Sequence, residues 1–398
     1  MPTRRDFLKR SSLIALAPSI PSFLARSARS AEQGRNERVL VVVQLDGGND
    51  GINTVIPFAD EGYEKYRRTL RIAADRVIKI DDRMGLHPAL RGAADLLEKQ
   101  QLAIVQGVGY PNPNRSHDVS MRIWQTARFD PEEHMTFGWI GRAADELPRP
   151  STGVPSSLLL GDENPPVAIR GRISAAGALA SLHDFDAEIP AAAGPNPRTS
   201  NSTSLAAFVQ RTTLDARGTA DRLRDLVRRD AMGDGSYPTT KLAERMKLIS
   251  QLIKADFGTR IYYAVQSGYD THAVQLASHD DLMRELAGAL KAFIDDLHVA
   301  GIADRVLVMC FSEFGRRVEE NGSAGTDHGT AGPVILAGPS VKTGLFGRPP
   351  SLLDLENGDL KMSVDFRQVY ATVLETWLGV PSAGILSGKF ERLGFLKS

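Results

Sequence analysis

Cysteine is almost missing from this chain: among 398 residues there is one, Cys310. That excludes an intrachain disulfide, and the apolar run around Cys310 makes it a small core residue. Net charge is missing as well, because 48 lysines and arginines balance 48 aspartates and glutamates. Nothing in that balance advertises a nucleic acid or an anionic membrane as a partner. Beyond the N-terminus no apolar stretch has the uninterrupted length that a membrane helix needs, and no internal repeat is visible. What is there, 42% hydrophobic and 24% charged residues, is the composition of an ordinary globular protein.

The N-terminus departs from that ordinary pattern. Thr3-Arg4-Arg5-Asp6-Phe7-Leu8-Lys9 resembles the twin-arginine export consensus. A weakly apolar stretch follows from Leu13 to Leu24, broken by Pro18 and Pro21, too short and interrupted to span a bilayer. Ala25-Arg26-Ser27 and Ala28-Arg29-Ser30 offer the small-x-small pattern read by a signal peptidase. The expectation is a signal peptide over residues 1–31, recognised by the twin-arginine translocase, and a periplasmic or secreted mature chain. That route carries folded proteins, which raises the expectation of a metal inserted before export. Residues 32–398 are enough for one large α/β domain.

Four apolar runs end in polar clusters, and a fifth follows one. Arg38 to Leu45 is valine-rich and nearly continuous, as suits a strand buried on both faces of a parallel sheet. It stops at Asp46-Gly47-Gly48-Asn49-Asp50-Gly51. Gln101–Gly107, Arg260–Val265 and Arg305–Phe311 repeat the pattern, and Pro333–Ala337 follows Asp327-His328-Gly329. Between them, His87 to Lys99 reads as a helix, and Leu282, Leu286, Leu290, Phe293 and Leu297 form a stripe at helical spacing. Strands alternating with helices predict a doubly wound, mostly parallel α/β sheet flanked by helices. Residues 146–203, rich in Pro, Gly, Ala and Ser, read as loops, and residues 204–256 as a helical insertion packed on the sheet.

In such sheets ligands bind beyond the carboxyl ends of the strands. The candidates there are Asp46, Asn49 and Asp50; Ser116 and His117; Asp270 and His272; Glu313; and Asp327 with His328. Carboxylate and imidazole together suit zinc, manganese or iron, whereas carboxylates with Asn suit calcium or magnesium. Simpler roles stay open for several of them. Glu313 has Arg316 and Arg317 nearby for a buried ion pair, Asp46 can cap its turn, and Ser116 can be an ordinary helix cap. Asp327 reads as a carboxylate that orients His328.

Leu45–Gly51, Gly268-Tyr269-Asp270-Thr271-His272, Ser312-Glu313-Phe314-Gly315-Arg316 and Gly325-Thr326-Asp327-His328-Gly329 resemble the signature blocks of an exported family, domain of unknown function 1501. Ser116-His117 and Ile123–Ala127 match it too, so the resemblance covers nearly the whole mature chain. That family is similar in turn to the alkaline phosphatase-like superfamily of phosphatases, sulfatases, phosphodiesterases and phosphoglycerate mutases. The resemblance implies one divalent metal at Asp270, His272 and His328, and a second at Asp46, Glu313 and the Ser116 hydroxyl. The ions are zinc, manganese or calcium. Phe314 stands where the superfamily has a ligand histidine, leaving Asn49, Asp50 or His117 to complete the second site. It further implies Ser116 as nucleophile, His117 as its acid–base partner, and Arg115 or Arg316 as a clamp on a non-bridging oxygen. The function expected is an exported metal-dependent hydrolase of phosphate or sulfate esters, on a small molecule or a glycan. The alternative is a non-catalytic exported binding or assembly protein that keeps the fold.

Overall fold

Strand β1 (Val39–Asp46) sends alternate side chains to two separate cores. Val39, Val41, Val43 and Leu45 join one, and Leu40 and Val42 the other. A strand covered on both faces needs apolar residues at consecutive positions, which explains why this run shows no alternation. The computed structural model describes residues 37–130, 137–148, 150, 154–180 and 236–397. The expected signal peptide over 1–31 and residues 204–235 of the expected helical insertion lie outside them.

The central sheet has nine strands. After β1 come β2 (Leu102–Gly109), β3 (Ser157–Leu160), β4 (Ala176–Leu179), β5 (Ile261–Ser267), β6 (Val306–Phe311), β7 (Gly332–Ala337), β8 (Gly344–Phe346) and β9 (Val364–Asp365). Their spatial order is β8-β2-β7-β6-β1-β5-β3-β4, with β9 also beside β2. β1 is parallel to β5 and β6, β3 to β4 and β5, and β8 and β9 to β2. Only β7 runs against its neighbours β2 and β6. Its first residue therefore lies at the same edge as the last residues of the others, and the segment before β7 reaches the edge where ligands bind.

Helices cover both faces. α1 (Arg91–Glu98) contributes to the core on one side, and α2 (His117–Thr126) and α3 (Trp139–Glu146) to the core on the other. α4 (Lys241–Lys254) and α5 (Gln275–Val299) join α1, while α6 (Phe366–Thr372) joins α2 and α3. The predicted stripe along α5 buries Leu286, Leu290, Phe293 and Leu297, with Leu282 half-buried at its margin. Arg38–Ser398 is one compact unit. The expected doubly wound α/β arrangement is thus the one observed. No helix among the described residues is long and apolar enough to cross a membrane.

Two details differ from the sequence reading. The segment 146–203 contributes β3 and β4 at the sheet edge, four residues each. Such strands are too short for periodicity to reveal, and Ala-Gly-Ala-Leu in β4 has little intrinsic strand preference. The helix expected over His87–Lys99 begins as a 3-10 turn at Pro88–Leu90, with His87 Nδ1 accepting from the Ala89 amide at 3.1 Å.

Candidate metal centre

Four loops meet at the carboxyl edge of the sheet. The Asp46–Asp50 turn follows β1, Asn114–His117 precedes α2, Gly268–Gln275 joins β5 to α5, and Ser312–Thr330 links β6 to β7. The turn after β1 is shaped by Gly47, whose φ of 119° suits glycine alone. A Cβ there would also lie 2.4 Å from the Asp270 amide nitrogen, so the two loops touch only because residue 47 has no side chain. In the last loop, Arg316 and His328 form an isolated antiparallel bridge, and Gly315 and Thr330 extend it with an amide–carbonyl bond of 2.8 Å. This small ladder holds His328 against the end of β6.

Four candidate ligand atoms gather around His328 Nε2 there, with His272 close to His328 and Asp270 but outside the mutually close set. His117 Nε2 and His272 Nε2 lie 3.0 and 2.9 Å from His328 Nε2. Asp270 Oδ1 is 3.1 Å from His272 Nε2, 3.3 Å from His328 Nε2 and 3.5 Å from His117 Nε2. Around a tetrahedral ion with metal–nitrogen bonds near 2.0–2.1 Å, neighbouring ligand atoms stand roughly 3.3 Å apart. Among the described residues, His117, Asp270 and His328 form the group whose ligand atoms are all mutually close.

The opposite ring nitrogens say what the Nε2 atoms carry. His117 Nδ1 faces Glu313 Oε1 at 2.8 Å, His272 Nδ1 faces Asp327 Oδ1 at 3.2 Å, and His328 Nδ1 faces the Arg115 carbonyl at 2.7 Å. A carbonyl and ionised carboxylates only accept, so each Nδ1 is the N–H, and a ring in its neutral form turns a lone pair inward at Nε2. Three lone pairs and a carboxylate oxygen pointing at one another repel unless a cation or a proton sits among them. The donor set fits a divalent ion, and its three imidazoles suit zinc or manganese better than calcium, which prefers oxygen.

Electrostatics act differently on the individual groups. Burial pushes the Asp270 carboxyl up, but hydrogen bonding and charge from Arg316, with help from His328 and His272, hold it at about 2. The hydrogen bond to Glu313 raises His117, outweighing burial. Burial lowers His328, and the neighbouring His117 and Arg316 add to that. Asp327 is held down mainly by its hydrogen bond from Asn321.

Several expected roles change in the structure. Asp270, His272 and His328 lie within 2.9–3.3 Å of one another, and His117 lies beside Asp270 and His328. Asp46 is not among the converging atoms; its Oδ1 accepts from Gln44 Nε2 at 2.9 Å, and burial together with nearby Glu313 raises its pKa. Glu313 is buried and occupied, with Oε1 accepting from the Gly47 amide and His117 and Oε2 from Ser312 Oγ. It orients a ligand rather than pairing with Arg316 or Arg317. Asn49 binds Thr54 Oγ1 at 3.0 Å through its side chain and Ser312 Oγ at 2.9 Å through its amide. Asp50 is fully buried in a two-pronged ion pair with Arg67, at 2.5 and 3.0 Å. Arg316 was expected to grip substrate. Instead it is buried under the site, donating to the carbonyls of Gly47, Gly48, Tyr269 and Thr326 and to Asp270, so no donor faces outward. Asp327 orients His272, not His328. Ser116 is exposed at the start of α2 and makes no capping bond with its hydroxyl. Phe314 stacks on His328 and leans on His117, both at 4.9 Å between ring centres, and so walls the site where the resemblance placed another ligand.

Residues 37–382, which hold all of these loops, match the family model described as protein of unknown function DUF1501. The chain belongs to that family. A search of curated proteins finds no match to this DUF1501 chain. Among solved structures it is similar to a sulfatase from Pseudoalteromonas sp., at 12% identity and a TM-score of 0.44, over 92% of this chain and 72% of that one. It is similar also to an alkaline phosphatase superfamily protein from Vibrio parahaemolyticus, at 10% identity and 0.37, over 89% and 69%. A phosphonate monoester hydrolase from Silicibacter pomeroyi matches at 11% identity and 0.33, over 89% and 75%.

Proposed function

We propose that this chain is an exported hydrolase of phosphate or sulfate esters that depends on one divalent ion. The observation that carries the proposal is the mutually close set of His117 Nε2, His328 Nε2 and Asp270 Oδ1, 3.0–3.5 Å apart, with His272 Nε2 at 2.9 Å from His328 and 3.1 Å from Asp270. His117, His272, His328 and Asp270 would hold the ion. Glu313, Asp327 and the Arg115 carbonyl keep the three rings turned to present Nε2, and Arg316 keeps Asp270 ionised from below. A bound ion supplies Lewis acidity toward a phosphoryl or sulfuryl oxygen. Ser116, exposed and next in sequence to His117, is the hydroxyl nucleophile in this reading. The partial positive charge at the start of α2 favours an anion beside it. The packing of Phe314 on two of the rings supports one ion rather than two.

The test uses protein purified without chelator. Elemental analysis should find one zinc- or manganese-type ion per chain, and aryl phosphate, aryl sulfate or phosphodiester substrates should turn over. Ser116→Ala should keep the ion and lose at least roughly a hundredfold in turnover. Bound metal with no hydrolysis of any ester class would instead leave a non-catalytic binding protein that keeps the fold.

A further inference from the structure

A cleft of about 840 Å³ opens beside the candidate centre, between the loop 109–115 and the segment 356–362. That volume lies in the range of small-molecule sites, about 300–1,000 Å³. One residue joins the cleft to the centre. The Arg115 carbonyl holds His328 Nδ1 at 2.7 Å, while its guanidinium lines the cleft and donates to Asp359 Oδ2.

Asp359 is 1% exposed, yet its Oδ1 has no hydrogen-bond donor among the described residues. The guanidinium Nε of Arg317 stands 3.9 Å away, too far for a hydrogen bond. A buried carboxylate oxygen without a donor costs free energy unless something supplies one. The residue that carries this atom lines the open cleft. Glu356, Asn112 and Asn357 line the same cleft. The charges of Arg115 and Arg317 both face the buried Asp359, and the exposed Glu356 adds a carboxylate at the cleft wall that neither arginine is recorded as pairing. Carboxylates only accept hydrogen bonds, so the complementary ligand brings donors and no further negative charge.

We propose that this cleft binds the alcohol portion of the ester, and that this portion is a non-anionic, donor-rich group, a polyol or an amino-polyol. The word ester rests on the hydrolase reading above; the binding itself does not. The acid group then faces His117, His272, His328 and Asp270, and the hydroxyl or ammonium groups face Asp359 and Glu356.

Titration calorimetry of the full chain tests this without any turnover. The probes are cellobiose, maltose, lactose, the glucosamine dimer of chitosan, and a heparin disaccharide as the polyanionic control. At least one uncharged or amino sugar should bind, and the heparin disaccharide at least roughly tenfold more weakly. Asp359→Asn should weaken the best probe roughly tenfold, the loss expected when a hydrogen bond to a charged group is reduced to one with a neutral group. Glu356→Gln, at an exposed position, guards against misfolding of the first variant. It should weaken the glucosamine dimer if ammonium is the recognised donor, and leave Asp359→Asn as the sensitive variant if hydroxyl is. The proposal is overturned if no sugar binds, if the heparin fragment binds as well as the others, or if both folded variants bind unchanged. A chain that binds these sugars but cleaves no aryl ester refutes the hydrolase reading and keeps the subsite. One that cleaves aryl esters and ignores the sugars refutes the subsite alone.

Discussion

Each ligand in the candidate centre is held by a partner on its far side, and the partner matters nearly as much as the ligand. Glu313 shows this most directly. It comes from the loop after β6, accepts a hydrogen bond from His117 Nδ1 at 2.8 Å, and accepts further bonds from the Gly47 amide and Ser312 Oγ. Glu313→Gln should weaken metal binding roughly 10–100-fold while leaving the four donor side chains in place, read by competition with a chromogenic chelator. An unchanged affinity would mean that the carboxylate does not set the ring. At this scale Asp270, His272 and His328 were legible, because loops at strand ends rarely carry that combination without a purpose. His117 was read first as an acid–base residue and only as one of three possible substitutes at a second metal site. It stands beside a serine that attracted the catalytic role, and its turn toward the centre depends on a contact with a residue 196 positions away.

Among elements, the loops under the site are tied together by a buried ion pair. Asp50, at the head of the turn after β1, binds Arg67, and Arg67 donates to the carbonyls of Val318 and Arg317 at 2.7 and 2.9 Å. Gln275, the first residue of α5, donates to Asp50 and accepts from Thr326 Oγ1. One carboxylate thus joins the loops after β1, β5 and β6. Burial would raise the Asp50 pKa, but Arg67 holds it at about 2. Arg67→Met should destabilise the chain by about 3–5 kcal/mol, because Asp50 is left charged and dry. Adding Asp50→Asn should recover much of that loss in urea titrations; a double variant as unstable as the single would show that Arg67 acts through packing. Nothing near Arg67 in the sequence marks it for this role. The five long strands, by contrast, were legible to within one or two residues, since burial on both faces writes a continuous apolar run. β3 and β4 escaped notice because four residues carry no period.

For the molecule as a whole, stability should depend on pH in a definite direction. Burial lowers His87 to about 3 and also lowers His279, whose ring meets it edge-on at 5.4 Å. In the unfolded chain His87 takes up a proton below about 6.5, whereas in the fold it resists down to about 3. Stability is therefore fully present above pH 6.5 and falls as the pH drops toward 3. Asp50, depressed from 3.8 to about 2, adds a further loss as the pH falls through that lower window. Thermal melting of metal-free protein should show the midpoint level near neutrality and declining below 6.5. His87→Gln should flatten the upper part of that decline; an unaltered slope would assign it elsewhere. The export proposal belongs to this scale too. Arg4→Lys with Arg5→Lys should retain the chain in the cytoplasm, measured by fractionation, whereas continued export would refute the twin-arginine route.

Composition and local pattern alone determined the α/β class, the strand positions and the edge at which polar loops gather, because those follow from which side chains must avoid water. Tertiary structure decided which polar groups gather at the candidate centre and which support it. Asp46, Asn49, Asp50 and Glu313 look equivalent to the gathered groups when read along the chain. They separate only when reversed β7 brings His328 to the shared edge and α2 brings His117. The physical reason is range: burial preference is a property of each residue, whereas coordination and charge pairing depend on distances of a few ångströms between residues far apart in sequence.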